Sequence, residues 1–308
     1  MRRVVIIGAG VLGAATAHHL AGRAEVVLID ERGVGEGTTA CSFSRLSAWG
    51  KRPDWYFRLN HQGMRAHAEL AGAWYHPCGT LLTGSAADRE QAARLGYAVS
   101  WSDQDALLLP EEGWVDAPLF ARSMASGVPL LNHRVIGLRP GAVELDDGTE
   151  VAADVVVNTA GNGAPEIAAM ARHELELVAS QGMLVELDFP AHPLRHIVHT
   201  DDITVRPVDA DRLLLRGPHG DAHLADGAPE LLRLAEKVVP ALAAAEISDV
   251  RIGSRVVPRG GLPSIGAVPG IRGYLHAVAH SGVILAPVIG ARLAALAVEI
   301  PCEVGVHE

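Results

Sequence analysis

The sequence predicts an α/β protein in which a parallel-sheet domain, split along the chain, carries an inserted antiparallel-sheet domain. A strand, a helix and a second strand follow one another within the first 30 residues, and another buried apolar strand returns at 154–161. Short alternating strands with turn signals fill much of the chain between 128 and 217. The 33 glycines and the aromatic content of 4% suit a fold with many tight backbone turns.

Composition and charge narrow the possible partners. The 308 residues are 49% hydrophobic, which is enough for one large core or two linked domains. The formal net charge of -10 repels phosphate backbones and anionic membrane surfaces, so neither nucleic acid nor membrane is expected as a partner. No apolar run reaches the ~18 residues of a membrane span. The three cysteines, Cys41, Cys78 and Cys302, form no CxxC pair, which fits a cytoplasmic protein.

Apolar runs and turn signals place the elements in chain order. The predicted elements are a strand at 3–8, a helix at 11–20, a strand at 25–30, a helix at 58–74, a strand at 79–84, a helix at 85–97, a loop at 106–120 with a helix from about 118, short strands between 128 and 161, a hairpin at 203–217, a helix pair at 229–247, and a strand, tight turn and long helix at 273–299. Two domains interleave: 1–50, 116–176 and 250–308 form the parallel-sheet domain, and 51–115 and 177–249 form the antiparallel-sheet domain.

A dinucleotide-binding pattern joins the first strand to the first helix. Gly8, Gly10 and Gly13 form G-x-G-x-x-G, which permits a tight turn, close backbone approach to a pyrophosphate and close packing of helix on strand. The helix N-terminus then faces the phosphates with unpaired N–H groups. Asp30 ends the second strand, where a carboxylate accepts both ribose hydroxyls and disfavours the 2′-phosphate of NADP.

The sequence after the second strand distinguishes an FAD-binding domain from an NAD-binding domain. A domain that binds NAD usually continues at once with further βαβ units. This chain instead enters a loop rich in glycine and hydroxyl side chains and returns to buried strands about a hundred residues later. The pattern therefore predicts a Rossmann-type FAD-binding domain, split in the sequence, with an inserted antiparallel-sheet substrate domain.

Four further segments support this interpretation. They are GTTACSFSR at 37–45, DVVVNTAG at 154–161, GSRVVPRGGLPSIG at 253–266 and AHSGVILAP at 279–287. In this order they resemble the pyrophosphate and flavin loop, the strand and turn beside FAD, the arginine-rich strand and the C-terminal flavin loop of the D-amino-acid oxidase superfamily, in particular its glycine oxidase and sarcosine oxidase branch. The resemblance covers nearly the whole chain, although the chain is shorter than typical members, with the loss in the substrate domain.

The resemblance implies an FAD-dependent oxidoreductase that converts a small α-amino acid or secondary amine to an imine by hydride transfer to flavin N5, with reoxidation by O2 and release of H2O2. It implies that Arg255 binds the substrate carboxylate and that Arg45 lies near the flavin, and these two are the predicted catalytic residues. No metal site is predicted, and assembly into a homo-oligomer is left open. The predicted cofactor-binding residues are Gly8, Ala9, Gly10, Leu12, Gly13, Asp30, Glu31, Thr38, Thr39, Ser42, Val135, Ala160, Gly161, His280, Ser281, Gly282, Val283 and Ile284.

The resemblance also bears on how FAD is held and reoxidised. The cysteine that holds flavin covalently in sarcosine oxidases would fall near Gly253, and no cysteine is near it in the sequence, so non-covalent FAD is expected. Neither Lys51 nor Lys237 falls where sarcosine oxidases keep the lysine that assists oxygen. The helix that begins near Gly282 would direct its N-terminal dipole at the charge that develops on reduced flavin.

Several alternatives remain open from the residues alone. Arg206 and Arg216 lie on the predicted hairpin and share a face by strand alternation, which makes them weaker candidates for binding an anion. The chain could instead be a 2-hydroxy acid dehydrogenase that uses a quinone or a carrier, or a non-catalytic FAD-binding subunit. The histidines of the 192–202 segment resemble metal ligands, but strand alternation separates His196 from His199, so a metal is not expected there.

Overall fold

The computed structural model of the protein describes residues 1–82, 86–101, 106–217, 227–299 and 305–306. Within these ranges the helices are α1 (Val11–Leu20), α2 (Asp54–Leu70), α3 (Ala86–Arg94), α4 (Ala117–Met124), α5 (Ala164–Met170), α6 (Gly227–Val238) and α7 (Gly282–Glu299). The strands are β1 (Arg3–Ile7), β2 (Glu25–Ile29), β3 (Arg45–Leu46), β4 (Tyr75–Pro77), β5 (Thr80–Leu82), β6 (Ser100–Trp101), β7 (Leu107–Leu109), β8 (Gly113–Val115), β9 (Leu130–Leu131), β10 (Val135–Arg139), β11 (Ala142–Leu145), β12 (Glu150–Ala152), β13 (Val155–Asn158), β14 (Gln181–Asp188), β15 (Ile197–His199), β16 (Thr204–Pro207), β17 (Arg212–Arg216), β18 (Glu246–Ser254), β19 (Ser264–Ala267), β20 (Ile271–Arg272), β21 (Tyr274–Val278) and β22 (Gly305–Val306).

The main sheet has six strands in the order β19-β21-β13-β1-β2-β9. All neighbours are parallel except β19 and β21, which are antiparallel. The strands β1 and β13 are apolar and buried over nearly their whole length, as the sequence predicted for parallel strands covered on both faces. The carboxyl ends of β1, β2, β13 and β21 therefore meet at one edge, where α/β proteins bind nucleotides.

Helices α1, α2 and α7 pack together on one face of this sheet. A Cβ atom at Gly290 of α7 would lie 2.6 Å from the carbonyl carbon of Ala15 in α1, so the two helices touch through their backbones. Helix α7 has 18 residues and is long and apolar enough to cross a membrane, so the expectation that no segment reaches this length was too strict. It is an element of the core, because its small and apolar side chains are largely buried against α1 and α2.

A second sheet of eight strands, mostly antiparallel, has the order β18-β14-β17-β16-β15-β5-β7-β6. Its only parallel pair among the described strands joins β15 to β5. Helix α6 packs on β14 and β17 through an apolar cluster that includes Val185, Leu215 and Leu231. The two sheets, one parallel and one antiparallel, confirm the predicted fold class; the domain boundaries remain a prediction.

Some elements differ from the sequence-based expectation. Helix α2 begins at Asp54 and ends at Leu70, four residues earlier at each end than predicted, and Ala71 closes it with φ of 42°. The segment predicted as a loop at 106–120 contains the short strands β7 and β8, which use the two apolar stretches on either side of Pro110. The long strands β14 and β18 were not predicted, because β18 is mostly exposed and lacks the apolar alternation of a half-buried strand.

Candidate active site

A cavity of about 300 Å³ opens between the carboxyl edge of the parallel sheet and one face of the antiparallel sheet. The turns after β1, β13 and β21 and the loop at 37–51 form one side of it. The other side is formed by β14, β15 and β17 and by the end of β18. The cavity thus joins the predicted nucleotide-binding edge to the predicted substrate domain.

The glycine pattern after β1 is required by close backbone contacts. Gly8 has φ of +98°, and a Cβ atom there would lie 2.5 Å from the carbonyl oxygen of Thr159. A Cβ atom at Gly13 would lie 1.8 Å from the oxygen of Gly8, so α1 starts directly against the strand end. Gly10 is the N-cap of α1, has no side chain to cap it, and lines the cavity. The helix N-terminus therefore remains accessible to an anion.

Asp30 lies immediately after β2, as predicted, and its carboxylate orders the adjacent backbone. Oδ2 accepts a hydrogen bond of 2.8 Å from the N–H of Ala9, and Oδ1 accepts from the N–H groups of Arg32 and Gly33. A carboxylate offers about four acceptor positions and three are used by these N–H groups, so Oδ2 keeps one position for a ribose hydroxyl. Glu31 instead is exposed and pairs with Arg32 on the surface.

The hydroxyl side chains of the loop at 37–45 connect the two sides of the cavity. Thr39 Oγ1 accepts a hydrogen bond of 3.3 Å from the N–H of Val11 at the start of α1. Thr38 Oγ1 donates to the carbonyl oxygen of Ser254 at 3.0 Å and accepts from Asn162 Nδ2 at 3.1 Å. The loop thereby fixes the glycine turn relative to the end of β18.

The C-terminal turn before α7 holds a half-buried lysine. Ser281 Oγ accepts hydrogen bonds from Lys51 Nζ at 3.1 Å and from the hydroxyl of Tyr56 at 2.8 Å. Burial lowers the pKa of Lys51 to about 8, and nearby arginines add to the effect. Burial and neighbouring positive charges lower the pKa of His280 to about 4, so its imidazole is neutral at pH 7. This turn, which includes Gly282, lines the cavity.

Arg45 lines the cavity but is also part of a buried ion pair. Its Nε and Nη2 donate to Glu112 Oε2 at 2.9 and 2.7 Å. The other oxygen of Glu112 accepts from the hydroxyls of Ser47 at 2.5 Å and Tyr97 at 2.8 Å. The charge of Arg45 is therefore already balanced, and the predicted place of Arg45 beside the flavin remains a prediction.

The hairpin of β16 and β17 presents two arginines on one face, as predicted. Arg206 lies opposite Leu214 and Arg216 lies opposite Thr204, so the four side chains share one face of the sheet. Only Arg216 of the two lines the cavity. Arg206 Nε donates to the carbonyl oxygen of Phe43 at 2.9 Å, and burial lowers its pKa to about 9. Arg206 thus holds the loop at 37–45 in place through its backbone and does not line the cavity.

Arg255 enters the cavity from the segment after β18. Its backbone N–H donates to the carbonyl oxygen of Ser180 at 2.8 Å, which continues the pairing of β18 with the start of β14. Its guanidinium lies over Gly182, where a Cβ atom would be 2.6 Å from Nη2. Gly182 therefore leaves room for the guanidinium of Arg255 to lie flat on the sheet. The role of Arg255 as the carboxylate ligand remains a prediction.

The cavity residues that the sequence did not single out include Cys41 and Lys51. Cys41 contacts Gly253, since a Cβ atom at Gly253 would lie 2.5 Å from Cβ and 3.4 Å from Sγ of Cys41. Both residues line the cavity, so a thiol does lie beside Gly253 in space. Lys51 also lines the cavity. The only sequence signal for it was rarity, because the chain has two lysines.

The side chains that resembled metal ligands make separate hydrogen bonds. His192 Nε2 contacts the carbonyl oxygen of Asp209 at 2.6 Å, and His199 Nδ1 contacts the hydroxyl of Thr204 at 2.8 Å. His196 contacts a backbone carbonyl. These partners give each ring a structural role.

A different group, His133, Asp146 and Asp147, brings its ligand atoms within 4.8 Å of one another. It lies at the end of the β11–β12 hairpin, and both carboxylates are about half exposed. Exposed acidic side chains commonly pair with histidine in this way without a metal, so the group has no assigned role.

The predicted site residues fall into two sets. Seven of them lie outside the cavity: Gly8, Ala9, Gly13, Asp30, Glu31, Val135 and Ala160. The others line it together with the catalytic candidates: Gly10, Leu12, Thr38, Thr39, Ser42, Arg45, Gly161, Arg255, His280, Ser281, Gly282, Val283 and Ile284. Asp30 and Ala9 still lie on the same sheet edge as the cavity, whereas Val135 is packed in the core on the far face of the sheet.

FAD fits the residues that are present. The turn after β1 leaves no room for a Cβ atom at Gly8 or Gly13, and Gly10, which has no side chain, lines the cavity where its backbone can approach a pyrophosphate closely. Asp30 keeps one acceptor position for a ribose hydroxyl, the hydroxyl of Thr39 lies beside the start of α1, and Thr38 lines the same cavity. These residues would hold the nucleotide, and the turn at 279–284 would hold the flavin end.

Comparisons with known proteins agree with this geometry. A family model described as "DAO: FAD dependent oxidoreductase" matches residues 3–296. An uncharacterized oxidoreductase, YurR of Bacillus subtilis (strain 168), is 26% identical over 96% of this chain and 95% of its own. A glycine oxidase of Bacillus licheniformis is 24% identical over 94% of this chain and 91% of its own.

Solved structures share the fold along almost the entire chain. The crystal structure of glycine oxidase from Geobacillus kaustophilus has a TM-score of 0.84 at 24% identity, covering 97% of this chain and 95% of that one. Iminodiacetate oxidase (IdaA) from Chelativorans sp. BNC1 has a TM-score of 0.83 at 26% identity, covering 98% and 97%.

Proposed function

This chain belongs to the DAO family of FAD-dependent oxidoreductases, and from that premise we propose that it oxidises a small α-amino acid or secondary amine to an imine, with O2 as the electron acceptor and H2O2 as a product. The family match confirms the enzyme class and the cofactor that the sequence predicted. When bound, FAD accepts a hydride from the substrate. The similar proteins named glycine oxidase and iminodiacetate oxidase act, by their names, on small amino acids or amines, which supports this substrate class.

One observation carries the proposal: a single cavity connects the nucleotide-binding edge to a wall with arginine side chains. Arg255 and Arg216 line the end formed by the antiparallel sheet, and Gly10 lines the other end. A guanidinium binds a carboxylate through two parallel hydrogen bonds, which fixes the orientation of the substrate as well as its position. Arg255 would hold the α-carboxylate and so direct the α-carbon towards the flavin end.

The charges around the cavity also suit the chemistry. An amine must be unprotonated before its α-carbon can lose a hydride. Nearby positive charges on Lys51, Arg216 and Arg255 disfavour the ammonium form of a bound substrate and thereby lower its pKa. The neutral imidazole of His280 adds no further charge at pH 7. The protein would therefore contribute to the reaction by orienting the substrate and by providing a positively charged cavity. A strong general base would not be needed.

Anaerobic bleaching of the purified flavoprotein tests the proposal. The panel contains small α-amino acids of both configurations, secondary amines such as sarcosine, and 2-hydroxy acids. We expect an amino acid or secondary amine to bleach the flavin absorbance, and readmitted air to restore it with formation of H2O2. Bleaching by 2-hydroxy acids alone would indicate the dehydrogenase alternative. A flavin that no compound bleaches would indicate a non-catalytic FAD-binding subunit.

The variant Arg255→Lys tests the carboxylate contact. It keeps the charge but loses the planar fork, so it should raise KM and lower kcat/KM for a carboxylate substrate and weaken inhibition by small carboxylates in parallel. The flavin spectrum should not change. Arg259→Lys is the matched control, because Arg259 is exposed and pairs with Glu176 outside the cavity. Normal turnover by Arg255→Lys would show that the carboxylate is held elsewhere.

A further inference from the structure

Arg216 is a half-buried cation in the cavity wall. It ends β17, and its position opposite Leu184 of β14 and Thr204 of β16 directs it to the cavity face of the sheet. Thr204 in turn lies opposite His199 of β15, so a row of residues from four strands forms this wall. The position of Arg216 is therefore fixed by sheet register and not by a mobile loop.

Arg216 has no acidic partner within the described residues, unlike three other arginines near it. Arg45 pairs with Glu112, and Arg251 and Arg212 both pair with Glu186. The Nε atom of Arg216 is buried and has no hydrogen-bond partner in that part of the chain.

The guanidinium of Arg216 lies over the ring of Phe43, with Cζ 5.3 Å from the ring centroid. Burial, followed by the charges of Arg45 and Arg255, lowers the pKa of Arg216 to about 10, which still leaves it charged at pH 7. A charge whose Nε is buried without a hydrogen-bond partner and that has no acidic partner is costly, so Arg216 points to an anion supplied from outside the chain.

Arg255 brings a second guanidinium to the same wall. Its Nη2 atom lies over Gly182, which is two residues from Leu184 and therefore on the same face of β14. Leu184 is the cross-strand partner of Arg216, which makes Gly182 a diagonal neighbour of Arg216 at about 7–8 Å. The two guanidinium groups thus belong to one surface of the cavity, and the charge of Arg255 acts on Arg216, which places them for two carboxylates of one small molecule.

We propose that Arg216 binds a second carboxylate of the substrate, so that the enzyme acts on small amino or imino acids with two carboxylates. This inference rests on the proposed function, in which Arg255 holds the first carboxylate. The phosphate end of the cavity lies at the N-terminus of α1, on the opposite side from β17, so Arg216 is not needed for the cofactor's phosphates.

Equilibrium binding of acids without an amino group tests this site without turnover. The FAD-loaded protein is titrated with malonate and succinate, and with acetate and propionate, and binding is followed by the change in the flavin spectrum. We expect the better dicarboxylate to bind at least tenfold more tightly than either monocarboxylate. Arg216→Met should weaken its binding by about 10- to 150-fold and leave the monocarboxylates within twofold.

Two controls separate the proposal from loss of structure. Arg212→Gln changes the net charge equally on the same strand but outside the cavity, and it should bind both kinds of acid as the parent does. Arg216→Met should unfold at or above the temperature of the ligand-free parent, because a charge without an acidic partner is removed. If Arg216→Met does not fold, Arg216→Lys replaces it in the test. This variant keeps the positive charge but loses the planar guanidinium, so it should retain only part of the preference for dicarboxylates.

The outcomes are distinct from those of the bleaching experiment. Equal affinity for mono- and dicarboxylates in the parent would overturn the proposal. Equal weakening of both by Arg216→Met would also overturn it, because Arg216 and Arg255 would then hold a single carboxylate. Faster loss of FAD with unchanged acid binding would reassign Arg216 to the cofactor. The protein could also bind dicarboxylates preferentially while no amine or amino acid bleaches its flavin. That result would support the anion site at Arg216 and contradict the proposed activity.

Discussion

The guanidinium of Arg45 and the carboxylate of Glu112 form an ion pair inside the protein, with 2.7 Å between Nη2 and Oε2. The side chain of Glu112 is fully shielded from solvent and accepts two further hydrogen bonds, from Ser47 and Tyr97. Burial and the nearby carboxylate raise the pKa of Tyr97 well above its usual value, so its phenol remains a donor. The network joins β3 to the segment between β7 and β8.

Neutralising Glu112 should therefore destabilise the fold. Glu112→Gln leaves Arg45 buried without a counter-charge, and we expect the free energy of unfolding of the FAD-loaded protein in urea to fall by about 3–5 kcal/mol. Glu111→Gln is the matched control: its side chain is 40% exposed and pairs with His61, so the expected loss is below about 1 kcal/mol. Similar losses of unfolding free energy for the two variants would show that the buried ion pair contributes no more to stability than the exposed one.

Asp30 should control FAD retention. Losing a charge-assisted contact to ribose costs on the order of 2–3 kcal/mol, which is about 30- to 150-fold in affinity. The structure makes Asp30→Asn a cleaner variant than Asp30→Ala, because an amide oxygen can still accept one of the backbone N–H groups that the carboxylate holds. Affinity is measured by reconstituting the flavin-free variant with FAD.

Glu31 provides the comparison for Asp30. Its side chain is 51% exposed and pairs with Arg32, so Glu31→Gln should retain FAD nearly as the parent does, although the sequence also placed Glu31 among the cofactor ligands. Equal retention by Asp30→Asn and the parent would mean that Asp30 orders the glycine turn and does not bind ribose.

FAD should be released by acid precipitation. Covalent attachment needs a thiolate as the nucleophile, and Cys41 makes no hydrogen bond or ion pair within the described residues that would activate its sulfur. We expect all yellow colour in the supernatant. Colour that stays with the pellet would contradict this prediction, and because Cys41 contacts Gly253, the variant Cys41→Ser would then be expected to release it.

The sequence predicted the site best where backbone geometry is dictated by local pattern. The glycine pattern, Asp30 and the turn before α7 each depend on a short local segment that follows a buried strand, and the structure places all three at one sheet edge. Contacts between distant segments were not predictable, because the pairing of Arg45 with Glu112 and the contact of Cys41 with Gly253 depend on how the two sheets meet.

The position of Arg216 in the cavity also could not be predicted from the sequence. Strand alternation predicted which face of the hairpin it shares with Arg206 but not that this face would close a cavity. A pattern within one hairpin carries no information about the element that covers it, which here is the loop containing Phe43.

Lys51 should make the stability of the flavin-free protein depend on pH. Burial, with Arg216 and Arg45 nearby, lowers its pKa to about 8 from the ordinary value of 10.5. Below pH 8 the lysine is charged in both the folded and the unfolded state, so the cost of burying the charge is fully present. Between pH 8 and 10.5 the folded state releases a proton that the unfolded state keeps, so this cost decreases as the pH rises.

Replacing Lys51 by methionine should remove that cost. At pH 7 we expect Lys51→Met to be more stable than the parent by up to about 3 kcal/mol, and the difference should shrink as the pH is raised to 10. Urea unfolding at pH 7, 9 and 10 measures it. The chain's other lysine, Lys237, is exposed on α6, so Lys237→Met should differ little from the parent at each pH. A stability gain that stays constant or grows with pH would show that Lys51 is not held in a desolvated, charge-disfavouring position beside Ser281.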